Sequence, residues 1–163
     1  MDVHKLQQEL AREKARAAAS KIHSPGLNVL WANAEGDIGW WAAAKLPQRP
    51  DGVNATFVLD AAKSEAVKPG FYAFNYNPQE ENPARRFIVS ANHQPAGVHA
   101  VPGYYNPSGR AQRLTQILQD ANAPADTAFA QAMQLDTQTD FAAQVLDGLL
   151  PVLDQVVTDP QER

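Results

Sequence analysis

The most regular alternation of apolar and polar positions in the chain lies between residues 28 and 43. Residues 28–33 (NVLWAN) and 37–43 (DIGWWAA) are rich in aromatic and β-branched side chains and are separated by 34–36 (AEG). That arrangement predicts two strands of a hairpin. Ahead of it, residues 2–22 are dominated by Ala, Lys, Glu, Gln and Arg, with Leu6, Leu10, Ala17 and Ile22 only loosely periodic. They predict a helix with a thin apolar stripe. It stops at 23–26 (HSPG), where proline removes a donor and glycine permits a turn.

Beyond the hairpin the pattern weakens. Residues 45–82 are broken repeatedly by proline and glycine, and short apolar pieces at 56–59 and 71–74 predict edge strands at most. A loop this long is usually functional or lies against another surface. Residues 85–92 (RRFIVSAN) predict a further strand that ends in polar side chains, a place where chemistry can sit. After a stretch rich in Pro, Gly and Tyr over 95–107, Ser108 is placed to cap a helix reaching about Asp120, with Leu114, Ile117 and Leu118 inward. A second helix follows Pro124. A third begins near Thr139 with Phe141, Val145, Leu149, Val152 and Val156 on one face. The reading is an α+β fragment, 1–163, with a helix over 2–22, strands and long loops over 27–92, and helices over 108–158.

Composition narrows the classes. The 163 residues are the usual length of one domain, and 44% apolar with 20% charged residues suffices for a core. Fourteen basic against eighteen acidic side chains leave a formal charge of −4, so no general attraction to nucleic acid or to an anionic membrane is expected. No run approaches the roughly 18 apolar residues of a spanning helix. The first twenty residues are charged, unlike an export signal, so the chain is expected to carry no address of its own. Zero cysteines exclude disulfides, thiolate metal sites and a cysteine nucleophile.

Candidate chemistry is sparse. His4, His23, His93 and His99 lack metal-ligand spacing and read as surface or capping residues. No phosphate-cradling glycine loop occurs. Trp31, Trp40, Trp41, Phe71, Tyr72, Phe74 and Tyr76 fit either a ligand platform or a core, and aromatics on adjacent strands favour the core. Arg85 and Arg86 read as a solvated edge. Asn92, just past an apolar strand, presents an amide donor able to stabilise an oxyanion or simply to close a turn. Arg113 reads first as an exposed or salt-bridged residue on its helix.

The order of the pieces carries more than any one of them. Residues 27–49 (LNVLWANAEGDIGWWAAAKLPQR) resemble the strand pair of the penicillin amidase (penicillin acylase) family, through Trp31, Ala32, Gly36, Ile38, Gly39, Trp40, Pro47 and Arg49. Residues 82–95 (NPARRFIVSANHQP) resemble the family's Asn-Pro, Gly-(Phe/Tyr)-Ile, Ala-Asn-Asn block. Residues 109–118 (GRAQRLTQIL) resemble its arginine-bearing helix, and 133–153 (MQLDTQTDFAAQVLDGLLPVL) its Gln-x-Asp-x-x-Ser block and following helix. The resemblance covers about residues 25–155. It implies part of an N-terminal-nucleophile αββα amide-hydrolase core, drawn from the larger chain of a self-cleaving precursor. The implied substrates are small acyl amides of the β-lactam side-chain or acyl-homoserine lactone type, and the implied parent is periplasmic or extracellular. Asn92 falls on the side-chain oxyanion donor, and Arg113 on the arginine that helps orient that asparagine and the substrate.

Some positions depart from the family pattern. Asn33 stands where an Asp is usual, His93 where a second Asn is usual, and Arg86 where a glycine is usual. Calcium occurs in some members, but residues 96–103 contain no carboxylate, so neither a metal nor another cofactor is expected from this segment. No glycine is followed by serine, so the serine nucleophile is expected from elsewhere in the parent, and this fragment alone is expected to be inactive. Its partners are then the remaining parent chains, and uncovered apolar faces predict self-association. The competing reading from another class is a non-catalytic binding or structural module in which Asn92 only closes a turn.

Overall fold

A computed structural model describes residues 3–63, 68–96, 101, 103, 105, 109–138 and 140–157. His99, Ser108 and Thr139 lie outside the described residues, as do the side chains of His4, Leu6 and Phe141. The chain divides into two compact units, Met1–Asn106 and Pro107–Arg163.

In the first unit the expected hairpin forms. Strands β1 (Leu27–Ala32) and β2 (Ile38–Ala43) pair antiparallel, with Val29 opposite Trp41 and Leu30 opposite Trp40. The turn is closed by side chains. Asn33 Oδ1 accepts from the Asp37 amide at 2.8 Å and Asn33 Nδ2 donates to Asp37 Oδ2 at 3.0 Å, while Gly36 adopts φ 93°. Asn33 therefore serves here as a turn clamp. Asn82 extends it, accepting from the Ile38 amide at 2.8 Å and donating to Asp37 Oδ1 at 2.8 Å.

The third strand is not the expected one. β3 is Gln79–Glu81, paired antiparallel with β2 so that Trp40 faces Glu80 and Trp41 faces Gln79. Residues 85–92 form no strand. The chain turns at Asn82 (φ 45°) and Arg86 (φ 62°), and the Arg86 amide bonds to the Pro83 carbonyl at 2.8 Å. Phe87, Ile88 and Val89 are half-buried, so their apolar run reported burial rather than pairing. Residues 56–59 also form no strand. Asn54 Oδ1 accepts from both the amide and the hydroxyl of Thr56, and Val58 is 98% exposed. Phe71 makes a single bridge to Pro47.

One sheet face is covered by α1 (Val3–Ala19), which fills most of the expected 2–22 span. Ala19, Trp41 and Ala43 are the buried centre, flanked by Ala15, Ile22, Val29, Trp31 and Phe74. The helix turns its Arg12, Ala15, Arg16 and Ala19 side inward. The expected stripe is off, because Leu10 is 54% exposed and Ala17 is also exposed. Arg16 donates to Gln79 Oε1 at 3.1 and 3.2 Å, and Arg12 pairs with Glu81 at 3.3 Å. Glu81 also accepts from the buried Trp41 indole N–H at 3.0 Å. Small alanines thus let the helix approach while long arginines reach across to the β3 edge. Gly39 is required by the same packing, since a Cβ there would sit 3.1 Å from the Trp41 ring. Asn77, 3% exposed, donates to the carbonyls of Ala42 and Ala44 at 2.8 and 2.7 Å, satisfying backbone acceptors at the end of β2.

The second unit contains α2 (Gly109–Gln119), α3 (Thr127–Gln134) and α4 (Asp140–Val156). These are the three expected helices. Leu114, Ile117 and Leu118 are half-buried as expected. Asp126 caps α3 by accepting from the Phe129 amide at 2.8 Å. In α4, Val145, Leu149, Val152 and Val156 keep the expected spacing of one helix face, and they are 40–73% exposed.

Candidate functional site

Asn92 ends the half-buried run 87–90 with φ 60°, and it is exposed. This left-handed conformation is tolerated by asparagine better than by most side chains. Its neighbours Ser90 and His93 line a cavity of about 280 Å³ on the sheet face opposite α1. The floor of that cavity includes Trp40 and Asn28, joined by a bond from the indole N–H to Asn28 Oδ1 at 2.8 Å.

The rim is charged. Arg85 Nη1 donates to Glu80 Oε1 at 2.6 Å, Arg85 Nη2 pairs with Glu80 Oε2, and the guanidinium lies over the Phe87 ring at 5.5 Å. Both arginines are exposed, as expected of a solvated edge. Arg85 is in addition held in a forked ion pair with Glu80. His93 is half-buried, and its Nδ1 is buried without a hydrogen-bond partner among the described residues. This differs from the surface or capping role that its sequence context predicts. Nothing in the spacing of residues 90–93 marks that histidine as cavity-facing, because the wall opposite it comes from β2 and β3.

Arg113 is built into the second unit. Its Nε and Nη2 donate to Asp136 at 3.1 and 2.6 Å, and its Nη1 donates to Gln116 at 3.1 Å. The guanidinium hydrogen bond is the main reason the Asp136 carboxyl is held below its ordinary pKa. The salt-bridged reading of Arg113 therefore describes its local state.

A second cavity, of about 590 Å³, lies between the 46–56 loop and the Tyr72–Tyr76 pair. The two phenol rings stack with centroids 3.9 Å apart and planes 5° from parallel. Desolvation, followed by the hydrogen bond with Tyr72, raises the Tyr76 pKa. The aromatic cluster thus divides between the two sequence readings. Trp40 and Trp41 are buried, Trp31 and Phe74 pack against the core, and Tyr72 and Tyr76 line a cavity.

No group of three His, Asp or Glu residues that could hold a metal ion occurs among the described residues. No helix among the described residues is long and apolar enough to cross a membrane.

A family model described as penicillin amidase matches residues 3–163. No curated protein sequence matches the chain. Among solved structures, a thermostable penicillin G acylase from Alcaligenes faecalis is similar, with a TM-score of 0.67 and 22% sequence identity. The alignment covers 90% of this chain and 26% of that one, so the present chain spans about a quarter of the length of the enzyme it resembles.

Proposed function

Because the chain belongs to the penicillin amidase family, a family of amide hydrolases, we propose that it is a segment of a larger acyl-amide hydrolase and supplies that enzyme's oxyanion donor. The exposed, left-handed Asn92, whose neighbours Ser90 and His93 line a cavity, is the observation that supports this reading. In the proposed reaction a serine from another segment attacks the amide carbonyl while its own α-amine takes the hydroxyl proton. The carbonyl oxygen becomes anionic and accepts a hydrogen bond from Asn92 Nδ2. Collapse breaks the C–N bond and releases the protonated amine, and water then hydrolyses the acyl-serine to the carboxylic acid. A donor of this kind is typically worth about 3 kcal/mol of barrier, or roughly a hundredfold in rate. Arg113, fixed by Asp136, is proposed to help orient the asparagine and the substrate. Substrates of the β-lactam side-chain or acyl-homoserine lactone type and a periplasmic or extracellular parent are part of the same proposal.

The N-terminal-nucleophile core is completed, in this reading, by the remaining parent chains, and the segment alone has no turnover. The parent chains would also cover the exposed apolar row of α4, which in their absence promotes self-association.

The decisive experiment replaces Asn92 in the full-length enzyme. Asn92→Ala removes the amide but also strains the left-handed backbone, whereas Asn92→Gly removes the amide and relaxes it. Both should lower kcat at least about a hundredfold, with self-cleavage and folding preserved. Activity within about tenfold of wild type in the glycine variant would sink the oxyanion assignment.

A further inference from the structure

The 590 Å³ cavity has the composition of a ligand site and shares no lining residue with the one beside Asn92. Its volume lies in the range of small-molecule pockets, about 300–1,000 Å³. Leu46, Pro47 and Val53 supply an apolar wall, and the stacked rings of Tyr72 and Tyr76 supply a flat, amphipathic one.

The walls are tied together by backbone. The Tyr72 amide bonds to the Leu46 carbonyl and the Gln48 amide to the Gly70 carbonyl, each at 2.9 Å, and Pro47 bridges Phe71. A side chain at Gly70 would meet Gln48 Oε1 at 3.0 Å, so the two segments are closely apposed.

Within this frame lies Arg49. It is half-buried, and among the described residues it makes no hydrogen bond or ion pair. That contrasts with Arg12, Arg16, Arg85 and Arg113, each of which is paired. A partly desolvated guanidinium without a counter-ion is unfavourable, and its planar fork matches a carboxylate. Tyr76, whose phenol resists ionisation, retains its proton at neutral pH and adds no competing negative charge.

We propose that this cavity binds a small carboxylate carried on an apolar body, with Arg49 pairing the carboxylate and Leu46, Pro47, Val53 and the tyrosine stack receiving the rest. The site is independent of Asn92. Its failure leaves the oxyanion reading standing, and the converse also holds.

The test is calorimetric titration of the full-length protein with hexanoate, using 1-hexanol as the uncharged control. Hexanoate should bind at least about tenfold more tightly than hexanol, the size expected of a charge-assisted hydrogen-bonded pair. Arg49→Gln should remove that preference, and Arg49→Lys should restore part of it. Val53→Trp, which fills the cavity and leaves the cation in place, should abolish binding of both probes. If Arg49→Gln unfolds the protein, the Val53→Trp variant decides alone. Absence of hexanoate binding, equal affinity for acid and alcohol, or hexanoate binding that survives Val53→Trp overturns the proposal.

Discussion

Among the described residues, three other than glycine adopt left-handed backbone conformations, and they differ in how well they suit it. Asn82 and Asn92 belong to the residue type that accepts positive φ most readily, and Asn82 uses its amide to clamp the hairpin turn. Arg86, at φ 62°, has no such excuse. The family pattern places glycine at this position, and the backbone supplies the reason. Arg86 is exposed, so a glycine forfeits little packing while relieving left-handed strain of about 1 kcal/mol. Arg86→Gly should therefore raise Tm by roughly 2–4 °C in a thermal melt. An unchanged or lower Tm would mean that the arginine side chain offsets its own backbone cost.

At the scale of elements, ion pairs fasten pieces that apolar contact alone holds loosely. Arg12 and Arg16 lie one helical turn apart on α1 and both reach Glu81 on the edge strand. In the second unit Arg113 joins α2 to Asp136, just beyond α3, and Asp136 Oδ1 also accepts from the Gln138 amide at 3.0 Å. Because the folded carboxyl has a depressed pKa, its contribution is fully present above the ordinary aspartate value, about 3.9, and is lost as pH falls through the lower folded value. Helical circular dichroism during thermal unfolding should thus show acid destabilisation of this unit. Asp136→Asn should be less stable than wild type at neutral pH and flatter across the acidic range. Equal pH slopes for the two proteins would remove Asp136 as the cause.

At the scale of the whole molecule, the chain reads as a piece built to lie against something else. Leu146, Leu149, Leu150, Val152 and Leu153 of α4 are each about half exposed, far more apolar surface in one row than scattered surface residues present. Replacing Leu149 and Leu153 together with glutamine should lower the sedimentation-average mass of the isolated chain toward 17.8 kDa without loss of helix. A wild-type chain already sedimenting at 17.8 kDa would overturn self-association, and a larger mass unchanged by the substitutions would remove this row as its cause. The α+β class, the hairpin, the three C-terminal helices and the family were all legible in the sequence. Period, turn chemistry and ordered short blocks are local properties, which neighbouring residues are enough to specify. Position alone read Asn92 as a turn residue or an amide donor, and only the family resemblance singled it out for the catalytic role proposed above. Only the tertiary structure decided that Gln79–Glu81, not 85–92, completes the sheet, that Ala15 and Ala19 rather than Leu10 face it, and that His93 and Arg49 line separate cavities. Those outcomes depend on which distant segment arrives as partner, and the pairing of an apolar run or the burial of a charge is set by that partner's shape and polarity rather than by the run itself.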